Sequence, residues 1–319
     1  MGLKLFLKNF KLTSGLYAKL REHKYNRLKK LNLKSKYKFQ NRSKGSENLC
    51  IILAGYKEFA YPAVFGRIEA FAPENIDICV VSSGLFSVAL EKICTKNNWS
   101  YLSVKRNNVS LAQNIAINLH TEAKYIFKLD EDIFITENYF SNMLSAYEHA
   151  CQGDYVPGVI APLLNVNGYG HLRILEKLNL KEDFAKKFEK PKYISMPYRQ
   201  IENNFEVAKY FWDSDIVPSI DVLNKKFSSE AKEEHPCAIR FSIGAILFKR
   251  ELWEEMGYFK VCKNGCGLGD DEAQLCSFCV LNSMPIMVSE NVVAGHLSFG
   301  KQNVQMKEFY LNNTEKFIV

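Results

Sequence analysis

Lys128-Leu129-Asp130-Glu131-Asp132 places three carboxylates at the end of an apolar run. Like charges at that spacing repel one another, and a cation relieves the repulsion. Asp130 and Asp132 are two residues apart and project to the same face of an extended chain. Hard oxygen ligands arranged this way suit Mn²⁺ or Mg²⁺, and such an ion also binds nucleotide phosphates. A second acidic group, Asp270-Asp271-Glu272, follows Gly267-Leu268-Gly269 and opens a helical stretch. A helix amino terminus favours ionised carboxylates, which makes Asp270 and Asp271 candidate proton acceptors. The plainer reading is an acidic N-cap box that only closes the helix. Cys262, Cys266, Cys276 and Cys279 form C-x3-C and C-x2-C pairs, so a structural zinc site competes for the same region.

Strands must deliver these groups. Residues 49–54 (LCIILA), 76–82 (IDICVVS) and 125–129 (YIFKL) are apolar runs expected of strands buried on both faces. Helix-like stretches at 61–71, 87–97 and 111–120 lie between them. That alternation predicts an α/β fold, a mostly parallel, Rossmann-related sheet flanked by helices. Ligands of such sheets bind beyond the carboxyl ends of the strands, so the loops after Ala54, Ser82 and Leu129 are where chemistry is expected. Residues 163–235 show no clear strand order and read as helices and loops over one side of the site.

Residues 106–117 (RNNVSLAQNIAI) and 123–135 (AKYIFKLDEDIFI) together resemble the central signature of family 2 glycosyltransferases, whose fold is GT-A. There a loop and helix reading roughly N-G-G-V-S-A-A-R-N-x-G-I precede a strand ending in D-x-D. Downstream, the strand-like 241–248, the turn Met256-Gly257-Tyr258-Phe259 and the Gly269-Asp270-Asp271 group follow the family's order of a glycine-containing strand, a G-G-F-like turn and a G-E-D motif. The sequence departs from the family in three places. It has Ser82-Ser83-Gly84 where D-D-G-S is usual, Ala54-Gly55-Tyr56-Lys57 for P-x-Y-N, and Gln113 for the helix arginine.

The resemblance implies an inverting sugar transfer from a nucleotide-sugar donor, taken as a UDP-sugar, to a hydroxyl of a glycan or glycolipid acceptor. Motifs alone leave a retaining outcome open. By the same resemblance Asp132 holds the ion on the donor diphosphate, Asp130 meets the ribose or the ion, and His296 is a third metal ligand. Lys301 reaches a donor phosphate, and Ala54, Tyr56, Glu58, Ser82, Arg106, Gln113 and Asn114 line the donor site. Asp271 is the base, with Asp270 as the alternative. Two other classes compete. A sugar nucleotidyltransferase wants a glycine-rich, arginine-containing loop after the first strand, which residues 54–59 (AGYKEF) do not supply. A non-catalytic membrane-associated adaptor that binds nucleotide fits if the acids are silent.

The chain has 319 residues and a net charge of +7. Residues 1–45 hold fourteen Lys and Arg against one acid, Glu22, so the remainder is acidic. Leu3, Leu7, Phe10, Tyr17 and Leu20 fall near a helical repeat among those lysines, as in a helix lying on an anionic bilayer. The expected organisation is a basic arm at 1–45 and a GT-A domain at 46–319, with a nucleotide-sugar half at about 46–160 and an acceptor half at about 161–319. No apolar run is long enough to span a membrane, and no signal-peptide pattern opens the sequence. Nine cysteines, an odd number, suit free thiols in a reducing compartment. The expected location is cytoplasmic, peripheral on the inner face of a membrane. Nucleic acid is not an expected partner, because the basic residues do not extend over the folded part.

Overall fold

The computed structural model describes residues 11–193, 200–298 and 300–319. Leu3, Leu7 and Phe10 of the predicted amphipathic repeat therefore lie outside the described residues. A ten-stranded sheet runs through the molecule. Its strands are β1 (Tyr37–Gln40), β2 (Asn48–Leu53), β3 (Ile76–Ser83), β4 (Ser100–Val104), β5 (Tyr125–Asp130), β6 (Ile133–Phe134), β7 (Val159–Leu164), β8 (Glu234–Pro236), β9 (Ala245–Lys249) and β10 (Ile286–His296). Their order is β1-β4-β3-β2-β5-β9-β7-β10-β6, with β8 added on β10.

The predicted strands at 49–54, 76–82 and 125–129 are β2, β3 and β5, and every residue of β3 is buried, as its unbroken apolar run requires. With β4 they form the parallel block β4-β3-β2-β5. Beyond β5 the expectation of a mostly parallel sheet fails. β9 runs antiparallel to both β5 and β7, so the sheet is mixed. The reason lies in the connections: helical crossovers join β2, β3, β4 and β5, whereas β9 comes back from a distant part of the chain.

Helices Tyr61–Phe71, Val88–Lys96 and Val109–Leu119 occupy the predicted places. Ser87 and Asn108 cap the latter two, accepting from Leu90 N (3.3 Å) and Leu111 N (2.9 Å). The described residues of the 163–235 region carry five short helices, together with β8 at its end.

The basic segment does not stop at the domain's edge. β1 pairs antiparallel with β4, Arg42 Nη1 donates to Trp99 O (3.0 Å), and the amides of Lys44, Gly45 and Ser46 converge on the buried Asp77 carboxylate (2.7–3.0 Å). Residues 37–40 are thus a strand at the sheet's edge and residues 41–45 are tied to the domain, inside the 1–45 stretch read as an arm. Helix Lys11–Leu31 precedes them. Tyr25 Oη donates to the Glu254 and Glu255 carbonyls, and Asn32 bonds Gly257 and Val261, so its carboxyl end is fastened to the domain. Among the described residues no helix is long and apolar enough to cross a membrane.

Candidate active site

β5 ends at the acidic run, and the three carboxylates point to three different partners. Asp130 Oδ1 pairs with Lys128 Nζ at 2.7 Å, and that buried lysine also donates to Ile243 O at 2.7 Å. Glu131 accepts the amides of Gly55 (2.8 Å) and Tyr56 (3.0 Å), which pins the loop after β2. Asp132, 2% exposed, takes Lys57 Nζ at 2.5 Å, and the same ammonium donates to Ser298 O at 3.1 Å. Burial works against the charge of Asp132, but Lys57 and His296 outweigh it and hold the carboxyl well below the usual range. For Asp130 burial prevails over Lys128 and pushes the pKa up. Burial also opposes the charge on Lys57, yet Asp132 leaves its pKa above the ordinary lysine value.

His296 arrives at Asp132 by strand pairing. β10 runs antiparallel to β6, with His296 opposite Ile133, and Leu297 N donates to Asp132 O at 3.1 Å. His296 Nε2 stands 3.5 Å from Asp132 Oδ2. Its Nδ1 is 2.9 Å from the Val166 carbonyl, which can only accept, so the proton sits on Nδ1. With Nδ1 donating to Val166, Nε2 is the nitrogen that faces the carboxylate: protonated it pairs with Asp132, and on losing that proton it is the nitrogen that would ligate an ion. Gly244 keeps the neighbouring space open: a Cβ there would stand 3.5 Å from Asp130 Oδ2 and 3.9 Å from His296 Cε1. Of the predicted ligands, Asp132 and His296 stand together, while Asp130 turns to Lys128, and the ligand atoms of the three do not converge on one point. Asp132 and His296 could share a divalent ion once Lys57 withdraws from Asp132.

The second acidic group lies at the carboxyl side of the same sheet, and the 262–269 loop packs onto the start of helix Val109–Leu119. Val109 N donates to Cys266 O (2.9 Å), and Asn108 Nδ2 lies 2.9 Å from Cys262 Sγ. Ser83 Oγ accepts from Asn108 N at 2.7 Å, while the Ser83 carbonyl accepts from Tyr56 Oη at 2.8 Å. Tyr56, a residue 64% exposed, therefore ties the first-strand loop to the end of β3. Asp271 is buried and its Oδ2 accepts from Gln113 Nε2 at 2.7 Å, while Asp270 is exposed.

Other predicted donor residues serve the protein itself. Asn114 is fully buried. Its amide donates to Phe259 O and Asn32 O, and its carbonyl accepts from Trp253 Nε1 and Phe259 N. With both ends engaged it offers nothing to a nucleotide, which corrects its place in the donor site. Ser82 Oγ is likewise buried between Leu85 O and Tyr101 Oη. Arg106 reaches the Cys262 and Lys263 carbonyls and so ties down the 262–269 loop. Ala54 is buried at the end of β2, and its amide donates to Val81 O. Glu58 is exposed on a single 3₁₀ turn, and Lys301 is exposed on another that follows Ser298.

The zinc reading finds no support. Cys262 lies against Asn108, Cys276 Sγ lies near Phe241 O, and Cys279 abuts Gly158, so the pairs do not converge. None of the nine cysteines is in a disulfide. Sequence reasoning missed Lys57 and Lys128. Lys128 had a signal: two residues before Asp130 in a buried strand, it shares that acid's face. Lys57 had none.

The chain matches solved GT-A glycosyltransferases over most of its length. GalNAc-T7 crystallised with UDP, GalNAc and Mn²⁺ is 10% identical at a TM-score of 0.46, covering 86% of this chain and 52% of its own. The mannosyltransferase PcManGT from Pyrobaculum calidifontis, in complex with GDP-Man and Mn²⁺, is 14% identical at 0.46, over 85% of this chain and 63% of its own. Glucosyl-3-phosphoglycerate synthase from Mycobacterium tuberculosis, with Mn²⁺, UDP and glucosyl-3-phosphoglycerate, is 12% identical at 0.41, over 85% and 81%. The chain thus spans less than two thirds of the first two. No protein-family profile and no curated protein matches it.

Proposed function

We propose that this chain is a glycosyltransferase that moves a sugar from a nucleotide-sugar donor to a hydroxyl of a glycan or glycolipid, with inversion. The observation that carries this reading is the pair Asp132 Oδ2 and His296 Nε2, 3.5 Å apart at the carboxyl end of β5, with the histidine ring oriented by the Val166 carbonyl at Nδ1. Asp132 and His296, with Asp130 beside them, would hold Mn²⁺ or Mg²⁺. Such an ion neutralises the donor diphosphate and stabilises it as a leaving group.

The chain's own residues supply the rest. Tyr56 offers an exposed ring beside the β3 end as a platform for the nucleobase, and Glu131 fixes its loop. In the transfer, the acceptor oxygen forms its bond to the anomeric carbon while the bond from that carbon to the diphosphate oxygen breaks. The diphosphate leaves with the electron pair, and the hydroxyl proton passes to a carboxylate. Asp271 is our choice of base, oriented by Gln113, with Asp270 as the exposed alternative. Lysine-rich residues of the amino-terminal helix would rest on anionic lipid and bring the domain to a membrane-borne acceptor.

A screen of nucleotide sugars for Mn²⁺-dependent donor hydrolysis tests this reading. Asp132→Ala should lose metal-dependent donor binding. Asp271→Ala should bind donor and fail to transfer, and normal transfer by that variant would remove Asp271 as base.

A further inference from the structure

A cavity of about 310 Å³ opens on the β1–β4 edge of the sheet, walled by Lys36, Lys38, Lys105, Tyr37 and Phe86 over Ser103. The backbone forces its lysines together. Lys105 N donates to Lys36 O at 2.9 Å, one step beyond the Tyr37–Val104 pair, so these two residues stand opposite each other, and Lys38 lies opposite Ser103. Like charges directly opposed across an antiparallel pair are destabilising. Among the described residues, no carboxylate forms a salt bridge with any of the three. Three other lysines of the sheet and its loops are matched, Lys128 by Asp130, Lys57 by Asp132 and Lys124 by Glu47.

An exposed aromatic ring stands beside the lysines. Phe86 is 40% exposed and Lys38 Nζ lies 5.0 Å from its ring centre, whereas Tyr37, between Lys36 and Lys38 in the strand, projects to the opposite face. Ammonium groups facing one concavity attract phosphate oxygens from several directions, since lysine acts there as a point charge. The open face of the Phe86 ring beside them suits the C–H face of a sugar or polyol. The cavity is also one loop away from the candidate active site. Leu85 lines it, and a Cβ on Gly55 would stand 3.3 Å from the Leu85 side chain, while the preceding Ser83 carbonyl holds Tyr56.

We infer that this cavity binds a phosphate-bearing glycan, with the phosphates on Lys36, Lys38 and Lys105 and the intervening sugar or polyol on Phe86. That this glycan is the acceptor rests on the transferase reading. Its binding does not. A nucleic acid satisfies the lysines too, but the folded part beyond residue 45 carries net negative charge and offers no basic track for a longer strand.

The test is fluorescence anisotropy of the full chain with a labelled oligo(glycerol phosphate), at fixed ionic strength. Three controls run beside it: an uncharged maltooligosaccharide, a single-stranded DNA of equal charge, and vesicles containing anionic lipid. Lys38→Glu/Lys105→Glu should weaken probe binding by tenfold or more, and Phe86→Ala by several-fold. The neutral pair Lys38→Gln/Lys105→Gln should fall between, with unchanged or raised melting temperature because a repulsion is removed. The maltooligosaccharide should not bind. Unchanged probe affinity in both lysine pairs overturns the site. So does equal binding of DNA or vesicles with a silent Phe86→Ala, which describes an unspecific basic patch. UDP-sugar and Mn²⁺ binding is followed in the same samples. Probe binding without nucleotide binding leaves the cavity standing and removes the transferase reading, and the reverse pattern removes only the cavity.

Discussion

Lys57 Nζ sits 2.5 Å from Asp132 Oδ2, so the carboxylate that best fits a divalent ion already holds a cation of its own. The two charges cannot both lie on that oxygen. An entering ion must displace the ammonium, and a donor diphosphate would give the released lysine a new partner.

Lys57→Met should therefore bind Mn²⁺ more tightly than the unaltered chain when nucleotide is absent. Without metal the variant leaves Asp132 buried and unpaired. Removing one partner of a fully buried pair costs about 3–5 kcal/mol, and because Lys57 is a quarter exposed we expect roughly 1–3 kcal/mol. Thermal melts with and without Mn²⁺ read both effects. Equal Mn²⁺ shifts in the two proteins would mean that the ion and Lys57 do not share Asp132.

Asp271 and Gln113 form a second separable pair. Asp271→Asn keeps an oxygen that can accept from Gln113 Nε2, so the fold should hold while transfer drops by about 10²–10⁴-fold, the usual weight of a general base. Gln113→Ala leaves a buried carboxylate without its donor and should cost about 1–3 kcal/mol of stability. Steady-state kinetics beside urea melts separate these results. Full turnover in Asp271→Asn with loss in Asp270→Asn would move the role to the exposed neighbour.

His120 gives a pH signature away from the site. It is buried, its Nδ1 donates to Ala116 O, and its Nε2 has no partner. Burial lowers its pKa below the ordinary 6.5, so the folded state holds its proton less tightly than the unfolded state. Its contribution to stability is complete above about pH 6.5 and is lost as the pH falls from there through the lowered value. His120→Gln should flatten the loss of stability as the pH falls below about 6.5 in urea melts. An unchanged slope would assign that acid sensitivity to another group.

What the sequence disclosed depended on how local the cause was. β2, β3 and β5 are continuous apolar runs whose burial needs no distant partner to be recognised. Asp130, Asp132 and Asp271 could be picked out because acids at a strand end or helix start are locally anomalous. β4 (SYLSV) hid behind its serines, and β1 (YKFQ) behind the lysines that suggested a surface arm. The antiparallel insertion of β9 beside β5 joins segments more than a hundred residues apart, which no periodicity reports. Asn114 shows the opposite error. Its place in a familiar signature suggested a ligand, whereas its neighbours in space, Trp253 and Phe259, make it a core tie. Asn114→Ala should accordingly cost several kcal/mol, from the unpaired indole and amide it leaves, with donor affinity unchanged in the folded fraction.

The amino-terminal segment divides at the places where it is fastened, and a truncation series should show it. Removing residues 1–24 takes away much of the lysine-rich helix but spares Tyr25, Asn32 and β1. The melting temperature should barely move, while binding to anionic vesicles falls sharply. Removing residues 1–45 also strips β1, the Arg42 bonds and two of the three amides on Asp77, leaving that buried carboxylate underpaired. This longer deletion should destabilise the domain by several kcal/mol and expose the β4 edge to aggregation. Vesicle flotation and melting on the two truncations decide the matter. If the shorter deletion floats with vesicles as the full chain does, the helix is not the membrane contact. If the longer one melts like the full chain, residues 25–45 are a tail rather than part of the domain.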